Sequence, residues 1–600
     1  MAATASGVLP ALLSVARTEL LPFDGRLGMA WRVAAQCMIA AAVFMTYGIP
    51  MAAIGCYLIL FIMKPASTES SLMAVAISIL VSLVVMIMFA VLHWTIDSPL
   101  LRMAVLVGGS ILFLYIGAAS QLGPVGNILA MVVAFIMTLL SDVPFGEVAT
   151  RGLLYAWLMA AAPMGLVVLF NLFFGRSSLA WLRARLSARL QAAADVIEGR
   201  SPSAALEEFL LEGNEELDKQ AGLVRLLHLA PTVQTRFLTN AISTSYRLML
   251  AASRLEPSDT SPCRMRLAAR CREAALAMRQ GVPAPADIGG TEGDAGLDDV
   301  RKALASLSSG TAPARGHAPA SRKGFFFADA LSNPAYQHFA LRTTAAAVIC
   351  YLIYTALDWQ GIHTAMITCY VAALGSTAET LHKLFLRIIG CLAGAAMGMA
   401  SIIFVIPHIT SIGALMILVF AGVLAAGWVA AGSERISYAG IQIGLAFLLT
   451  VLQGFGPDVQ MDVAWDRIIG IMLGNFVMFV MFTKLWPVGM ISSVVPALTR
   501  ALNSLAAIAT ADRNDDPGTE EISGVMSELS QARQGLQFLL FEPRKLRPAD
   551  GNVALLHDVI SKANHLCRLV AFREGRQTSE YDRAIRELPD LMRTVRRANT

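Results

Sequence analysis

The residues of this chain that could recognise a charged ligand are arginines in or beside apolar segments. Arg32 and Arg342 recur in similar surroundings, M-A-W-R-V-A-A and F-A-L-R-T-T-A-A. A guanidinium presents two parallel donors that match a carboxylate, and placing one inside a membrane span costs about 2.5–3.5 kcal/mol. We therefore predict that Arg32 and Arg342, with Arg151 and Arg467, bind an anionic substrate. Anchoring of helix ends at the lipid headgroups is the alternative for each.

Carboxylates near the apolar segments could couple transport to a proton gradient. The candidates are Glu379, Glu434 and Asp466, all close to predicted helix ends. The alternative for Asp466 is a local role, either as a partner of Arg467 or as an acid that favours a helix N-terminus.

Other chemistry lacks support in the sequence. No Gly-Lys dipeptide is present, so the phosphate-binding loop of an ATP-driven pump is excluded. The nine histidines are scattered, no C-x-x-C pair occurs among the eight cysteines, and the net charge is only +4. We predict no enzyme activity, no cofactor, no metal and no nucleic-acid partner.

The composition indicates the elements that must position these residues. Hydrophobic residues make up 56% of the 600 residues and charged residues 15%, which is typical of an integral membrane protein. Apolar segments long enough for helical spans fall into two groups of six, although the short ones leave ten to twelve spans open. The groups lie near 28–46, 50–63, 72–94, 101–119, 124–140 and 151–174, and near 341–357, 361–375, 384–406, 411–431, 436–453 and 467–486.

Charged, amphipathic segments follow each apolar group and predict helical soluble domains. The predicted division of the chain is an N-terminal interfacial segment, a first bundle, a helical domain with a flexible linker, a second bundle and a C-terminal helical domain. These cover 1–25, 26–175, 176–335 (linker 283–324), 336–488 and 489–600. Positive charges such as Arg26, Lys64 and Lys383 flank the segments on one side, which predicts that both soluble domains and both termini are cytoplasmic.

Matched landmarks indicate that the two apolar groups are copies. Arg32 is followed after 35 residues by Ser67-Thr-Glu, and Arg342 is followed after 34 by Ser376-Thr-Ala-Glu. Six spans per copy give both copies the same orientation. The predicted fold class is therefore an all-α membrane protein of two parallel-repeat six-helix bundles, each followed by a helical cytoplasmic domain.

A second pattern, R-I-I-G-x-x-x-G, occurs twice in the second group, beginning at Arg387 and at Arg467. Small residues four apart lie on one helix face and allow backbones to approach closely. We predict helix packing at these glycines; a glycine-lined permeation path is the alternative. The residues concerned are Gly390, Gly394, Gly398, Gly470 and Gly474.

Together these features resemble the fusaric acid resistance family of the aromatic acid exporter superfamily. The resemblance rests on Lys64-Pro-Ala-Ser-Thr-Glu69, on Phe145-Gly-Glu-Val-Ala-Thr-Arg151 and on the two R-I-I-G-x-x-x-G segments, and covers about residues 25–575. It implies a Gram-negative inner-membrane exporter of aromatic carboxylic acids and related toxic compounds. It also implies use of the proton gradient and partnership with a periplasmic membrane-fusion protein and an outer-membrane channel.

The residues alone leave other functions open. A passive organic-anion channel and a non-transport membrane scaffold are the alternatives to an exporter, and the small-residue helix faces would also support a homo-oligomer.

Overall fold

The computed structural model describes residues 19–22, 25–95, 98–139, 146–200, 204–255, 261–282, 295–309, 324–453, 456–457, 462–510, 517–572 and 579–598. Most of the predicted segment 1–25 and most of the predicted linker 283–324 lie outside these residues. The chain forms two compact units, and each half of the sequence contributes to both. Unit 1 comprises Met1–Gly175 and Arg322–Val488, and unit 2 comprises Arg176–Ser321 and Gly489–Thr600.

Unit 1 is built from apolar helices. Those of the first half are α1 (Arg26–Thr46), α2 (Ala52–Ile62), α3 (Ser67–Thr95), α4 (Pro99–Ala119), α5 (Pro124–Leu139) and α6 (Gly146–Phe174). Those of the second half are α13 (Pro334–Ala356), α14 (Thr364–Ala372), α15 (Thr377–Phe404), α16 (Ile412–Ala430), α17 (Glu434–Val451) and α18 (Asp462–Lys484). A two-residue antiparallel pair, β1 (Leu452–Gln453) with β2 (Gly456–Pro457), follows α17.

The ends of these helices follow from local sequence. Pro99 and Pro334 begin α4 and α13, where a missing N–H costs nothing. Ser376 and Glu379 form a capping box at the start of α15, in which each side chain bonds the other's backbone N–H.

Unit 2 is also helical. The first half of the chain supplies α7 (Ser178–Ile197), α8 (Ala204–Glu212), α9 (Glu215–Leu226), α10 (Thr232–Ala252), α11 (Pro262–Gln280) and α12 (Ala295–Ser309). The second half supplies α19 (Ile491–Thr510), α20 (Thr519–Phe538), α21 (Asp550–Val570) and α22 (Ser579–Arg597).

Nine helices among the described residues are long and apolar enough to cross a membrane, and eight of them belong to unit 1. The ninth, α19, packs within unit 2 against α20. Three shorter apolar helices, α2, α5 and α17, also lie in unit 1. The prediction of an all-α, multi-pass membrane protein is therefore confirmed at this level.

The helices of the two halves interlock within unit 1. The first helix of each half packs against the fourth of the other, α1 against α16 and α13 against α4. The second of each packs against the fifth of the other, α2 against α17 and α14 against α5. Because every pair joins the two halves, the space enclosed between these helices is lined by both.

Candidate functional site

A cavity of about 320 Å³ lies in unit 1 among helices of both halves. Its volume is at the lower end of the range of small-molecule sites, and most of its lining is aromatic or aliphatic, as such sites usually are. The aromatic lining residues are Tyr57, Phe61, Tyr336, Phe339 and Tyr370, and the polar ones besides the tyrosines are Asn127 and Lys383.

Hydrogen bonds between helices hold two of the polar lining residues. The hydroxyl of Tyr370 on α14 lies 2.7 Å from Ser110 Oγ on α4. Asn127 Nδ2 on α5 donates to the carbonyls of Tyr370 and Ala373, at 3.2 and 3.1 Å. Because these bonds link α4, α5 and α14, they fix the wall from which the Tyr370 ring faces the cavity.

Lys383 is the cation among the lining residues. Its Nζ lies 4.9 Å from the centroid of the Tyr438 ring, within the range of a cation–π contact. The described residues include no ion-pair partner for it, and Glu379, one turn earlier on α15, bonds the Ser376 backbone and hydroxyl instead. A positive charge at an apolar cavity without a paired carboxylate suits an anionic ligand.

Arg387 lies one turn beyond Lys383 and is almost fully buried. Its Nη1 donates to Tyr438 Oη at 3.1 Å and to Gln442 Oε1 at 3.0 Å, both on α17. Among the described residues its hydrogen-bond partners are neutral, so the positive charge of Arg387 adds to the positive potential around Lys383.

Arg342 is completely buried, and its guanidinium forms hydrogen bonds with backbone carbonyls. Its Nη1 donates to the carbonyl of Trp486 and its Nη2 to that of Gly375, each at 2.9 Å. The guanidinium also lies 4.0 Å from the centroid of the Phe482 ring. Gly375 itself lines the cavity, so the structure places Arg342 behind the cavity wall.

Arg32 occupies the corresponding place in the first half. Its Nη1 donates to Ser67 Oγ at 2.8 Å and its Nε to the carbonyl of Gly28 at 2.7 Å. A pocket of about 20 Å³ beside it, lined also by Lys64 and Asn171, has room for a single water molecule. Arg32 is therefore not at the larger cavity.

Arg151 lies far from these residues. It forms an exposed ion pair with Glu147, with Nη2 2.7 Å from Oε1, in the first turns of α6. Asn171, which shares the small pocket with Arg32, follows twenty residues later on the same helix, about 30 Å away at 1.5 Å per residue.

Arg467 is likewise remote from Arg342. It lies near the start of α18, whereas Phe482 beneath Arg342 is fifteen residues further along that helix, about 22 Å away. The structure therefore does not bring the four predicted arginines together.

The three candidate carboxylates lie near the beginnings of three different helices. Glu379 belongs to the capping box of α15, and Glu434 is the first residue of α17. The partner of Asp466 is Trp359, whose Nε1 donates to Asp466 Oδ1 at 2.9 Å, and the described contacts of Arg467 do not include an ion pair with it. Among the described residues no three His, Cys, Asp or Glu side chains come together as metal ligands.

The predicted packing glycines lie against neighbouring helices. A methyl group built on Gly390 would lie 2.6 Å from the Ala439 carbonyl, and one on Gly398 would lie 2.6 Å from Thr450 Cβ, both on α17. Gly394 faces the Ile443 carbonyl on the same helix. On α18, a methyl group built on Gly474 would lie 2.6 Å from the Ala365 carbonyl of α14, and Gly470 faces Thr364.

The sequence contains a signal for the cavity apart from the arginine and glycine patterns. Cys56-Tyr57 on α2 and Cys369-Tyr370 on α14 are repeated dipeptides, and both tyrosines line the cavity. Each cysteine has a partner nineteen residues earlier, Cys37 and Cys350, with Cys350 Sγ 3.7 Å from Cys369 Sγ. The sequence does not indicate Lys383 as a cavity residue. Because it lies near a predicted helix end, it serves there only as a marker of orientation.

The fold is that of a multi-pass helical membrane protein, and its largely apolar cavity is lined by one lysine. Comparison with known proteins shows which proteins the chain is similar to. Residues 337–600 match the model of the fusaric acid resistance protein family. This match and the relatives below confirm that the chain resembles this family.

Several curated relatives cover most of the chain. Multidrug resistance protein MdtO of Escherichia coli O157:H7 and that of Escherichia coli K12 are each 25% identical over 510 residues, 82% of this chain and 74% of the relative. MdtO of Shigella flexneri is 25% identical over 498 residues, 80% of this chain and 72% of the relative. No solved structure matches the chain significantly.

Proposed function

We propose that this protein is an inner-membrane exporter of aromatic carboxylic acids and related toxic organic compounds, and that the cavity in unit 1 is its substrate site. The observation that carries the proposal is the combination of aromatic rings with Lys383, a cation without an ion-pair partner among the described residues. Aromatic rings such as Tyr57 and Tyr370 would pack against a substrate ring. The ammonium of Lys383 would bind its carboxylate.

The roles of the predicted arginines are revised in this proposal. Lys383 binds the substrate carboxylate, and Arg387 raises the positive potential beside it. Arg342 is a positioning residue, because it holds the carbonyl of Gly375 in the cavity wall. Arg32, Arg151 and Arg467 anchor and pack helices away from the cavity.

The proposal includes a parallel repeat of six helices and cytoplasmic termini. The reciprocal packing of first on fourth and second on fifth helices supports the repeat. The ends of α2, α4 and α14 and the beginnings of α5, α13 and α15 surround the cavity. In the orientation that the positive charges favour, these are cytoplasmic ends, so the cavity would be open to substrate from the cytoplasm.

Energy coupling and partners rest on the family. Of the three candidate carboxylates, Glu379 best suits proton coupling because it lies one helical turn from Lys383. A periplasmic membrane-fusion protein and an outer-membrane channel would complete a tripartite system. The name of the MdtO relatives supports a role in drug resistance.

Export of p-hydroxybenzoate from loaded cells tests the proposal, with Lys383→Gln compared against Lys484→Gln. Lys484 is an exposed lysine at the end of α18 and does not line the cavity. A charged hydrogen bond contributes about 1.5–3 kcal/mol, so Lys383→Gln should weaken apparent substrate affinity about 10-fold or more, with Lys484→Gln unchanged. Equal export by both variants at equal expression would contradict the assignment of the site.

Uphill export that survives collapse of the proton gradient would contradict proton coupling, and strictly downhill flux would favour the channel.

A further inference from the structure

A second binding surface lies in unit 2, outside the proposed transport site. Two exposed turns there combine apolar side chains with basic ones. The first tip is residues 225–236, from the end of α9 to the first turn of α10, and the second tip is residues 540–547, after α20.

The first tip exposes an apolar stretch flanked by arginines. Leu226, Leu227 and Leu229 are exposed, and Val233 is 83% exposed. The flanking cations are Arg225 and Arg236, both exposed. The sequence contains no Asp or Glu between 218 and 256, so no acid along this segment offsets the positive charge.

Contacts within unit 2 show at which end the first tip lies. Arg189 Nη1 donates to Asn214 Oδ1 at 2.7 Å, and Ser178 Oγ donates to Gln220 Oε1 at 2.7 Å. Helix α9 therefore runs back along α7 toward the first residue of α7. Leu226, six residues beyond Gln220, extends about 9 Å further in that direction. Ser178 follows the end of α6, a membrane-spanning candidate, by only four residues.

The second tip lies at the corresponding point of the second half. Glu542 Oε1 accepts from the backbone N–H of Met490 at 2.7 Å, and Met490 follows the end of α18 by six residues. Leu540 is 73% exposed, and the cations Arg544 and Lys545 next to it are exposed as well.

We infer that both tips bind the surface of a bilayer containing anionic phospholipids. Each tip lies at the end of unit 2 where the chain leaves a membrane-spanning candidate. Exposed Leu and Val side chains beside Arg and Lys suit the interface, where apolar groups insert at the headgroup boundary and cations bind lipid phosphates. Since the tips come from both halves of the chain, they would hold unit 2 to the membrane at two points.

Hydrogen–deuterium exchange of the full-length protein tests this inference. The protein is placed in nanodiscs of phosphatidylcholine, with or without phosphatidylglycerol. Peptides covering 225–236 and 540–547 should exchange several-fold more slowly when the anionic lipid is present. Arg225→Glu should abolish this protection in the first tip only, and Arg544→Glu in the second tip only.

The matched control is Arg266→Glu, the same charge change at an exposed arginine on α11. Its neighbour Arg264 donates from Nε to the carbonyl of Ile197, at the opposite end of α7 from Ser178. Arg266→Glu should leave both tips protected. Exchange independent of lipid charge, or loss of protection in the Arg266→Glu variant, would overturn the inference. So would protection that depends only on protein concentration, because that result would assign the tips to contacts between two copies of the chain.

Discussion

The third and fifth helices of the two halves pack differently in unit 1. In the second half, α15 packs closely along α17, with Gly390, Gly394 and Gly398 at the contact. In the first half, α3 makes few contacts with α5, and no glycine occurs in 67–95. Because a backbone can approach another closely only where side chains are small, the glycines account for this difference.

The consequence of the difference is a free face on α5. Pro124, Asn127, Ile128 and Met131 occupy positions i, i+3, i+4 and i+7, so they share one face of the helix, and all four line the cavity. On α17 the contact face is covered by α15 through Ala439, Gln442 and neighbouring residues. The third helix also packs more extensively along the sixth in the first half, α3 along α6, than in the second half, α15 along α18. The face of α5 that lines the cavity is therefore the one that α3 leaves uncovered.

The largest expected effect comes from filling the glycine contact. Gly394→Ala would place a methyl group against the Ile443 carbonyl and 2.8 Å from Ala446 Cβ. Overpacking of this kind costs about 1–3 kcal/mol, so the melting temperature of the purified protein should fall clearly. Gly108→Ala on α4 is the control, because nothing lies within 4 Å of that position and alanine favours the helix. Equal melting temperatures for the two variants would contradict the explanation by glycine packing.

A smaller difference in stability is expected between variants of the two matched arginines, Arg342 and Arg32. Arg342→Gln removes a completely buried guanidinium that donates to the carbonyls of Trp486 and Gly375. Trp486 has a left-handed backbone with φ of 45°. Hydrogen bonds from a charged group contribute about 1.5–3 kcal/mol, so this variant should be less stable than Arg32→Gln, whose arginine is only half buried.

Thermal unfolding in detergent measures that difference, and export at matched expression separates stability from binding. If Arg342 only positions Gly375, the apparent affinity for substrate should change less than in Lys383→Gln. A greater loss of affinity in Arg342→Gln, with normal stability, would restore the direct anion-binding role predicted from the sequence.

Much of the helical pattern could be predicted from the sequence. The apolar segment at 72–94 corresponds to α3 (Ser67–Thr95) and that at 436–453 to α17 (Glu434–Val451). Hydropathy is sufficient for this because each span must satisfy its own backbone hydrogen bonds in the lipid. Hydropathy does not specify partners, so the packing of α1 on α16 and of α13 on α4 could not be predicted in the same way.

The site was harder to predict than the helices. Isolated arginines attract attention because they are costly in a membrane, but backbone carbonyls and a nearby aromatic ring can satisfy one, as they do for Arg342. The cavity is a space that side chains leave empty, and no residue type marks such a space. The repeated Cys-Tyr dipeptides at Tyr57 and Tyr370 were the available signal.

The smallest expected effect concerns the hydrogen bond made at the beginning of the first helix that each half contributes to unit 2. The first half uses the neutral Gln220, which accepts from Ser178 Oγ. The second half uses Glu542, whose carboxylate accepts from the Met490 N–H. Burial raises the pKa of this carboxyl group, although the hydrogen bond from Met490 and the charge of Arg547 act in the opposite direction. A raised folded-state pKa means that stability is lost as pH increases from the ordinary range of a glutamate through the folded value.

Glu542→Gln keeps the acceptor and removes the charge. The variant should therefore be more stable than the parent at neutral and alkaline pH, and this advantage should disappear at pH values below the ordinary pKa of a glutamate. Gln220→Glu should do the reverse in the first half, because it places a carboxylate in a fully buried position next to Glu216. Melting temperatures across a pH series measure both. Parallel pH profiles for the parent and Glu542→Gln would show that this carboxylate is compensated in the folded protein, and the two hydrogen bonds would then be electrostatically equivalent.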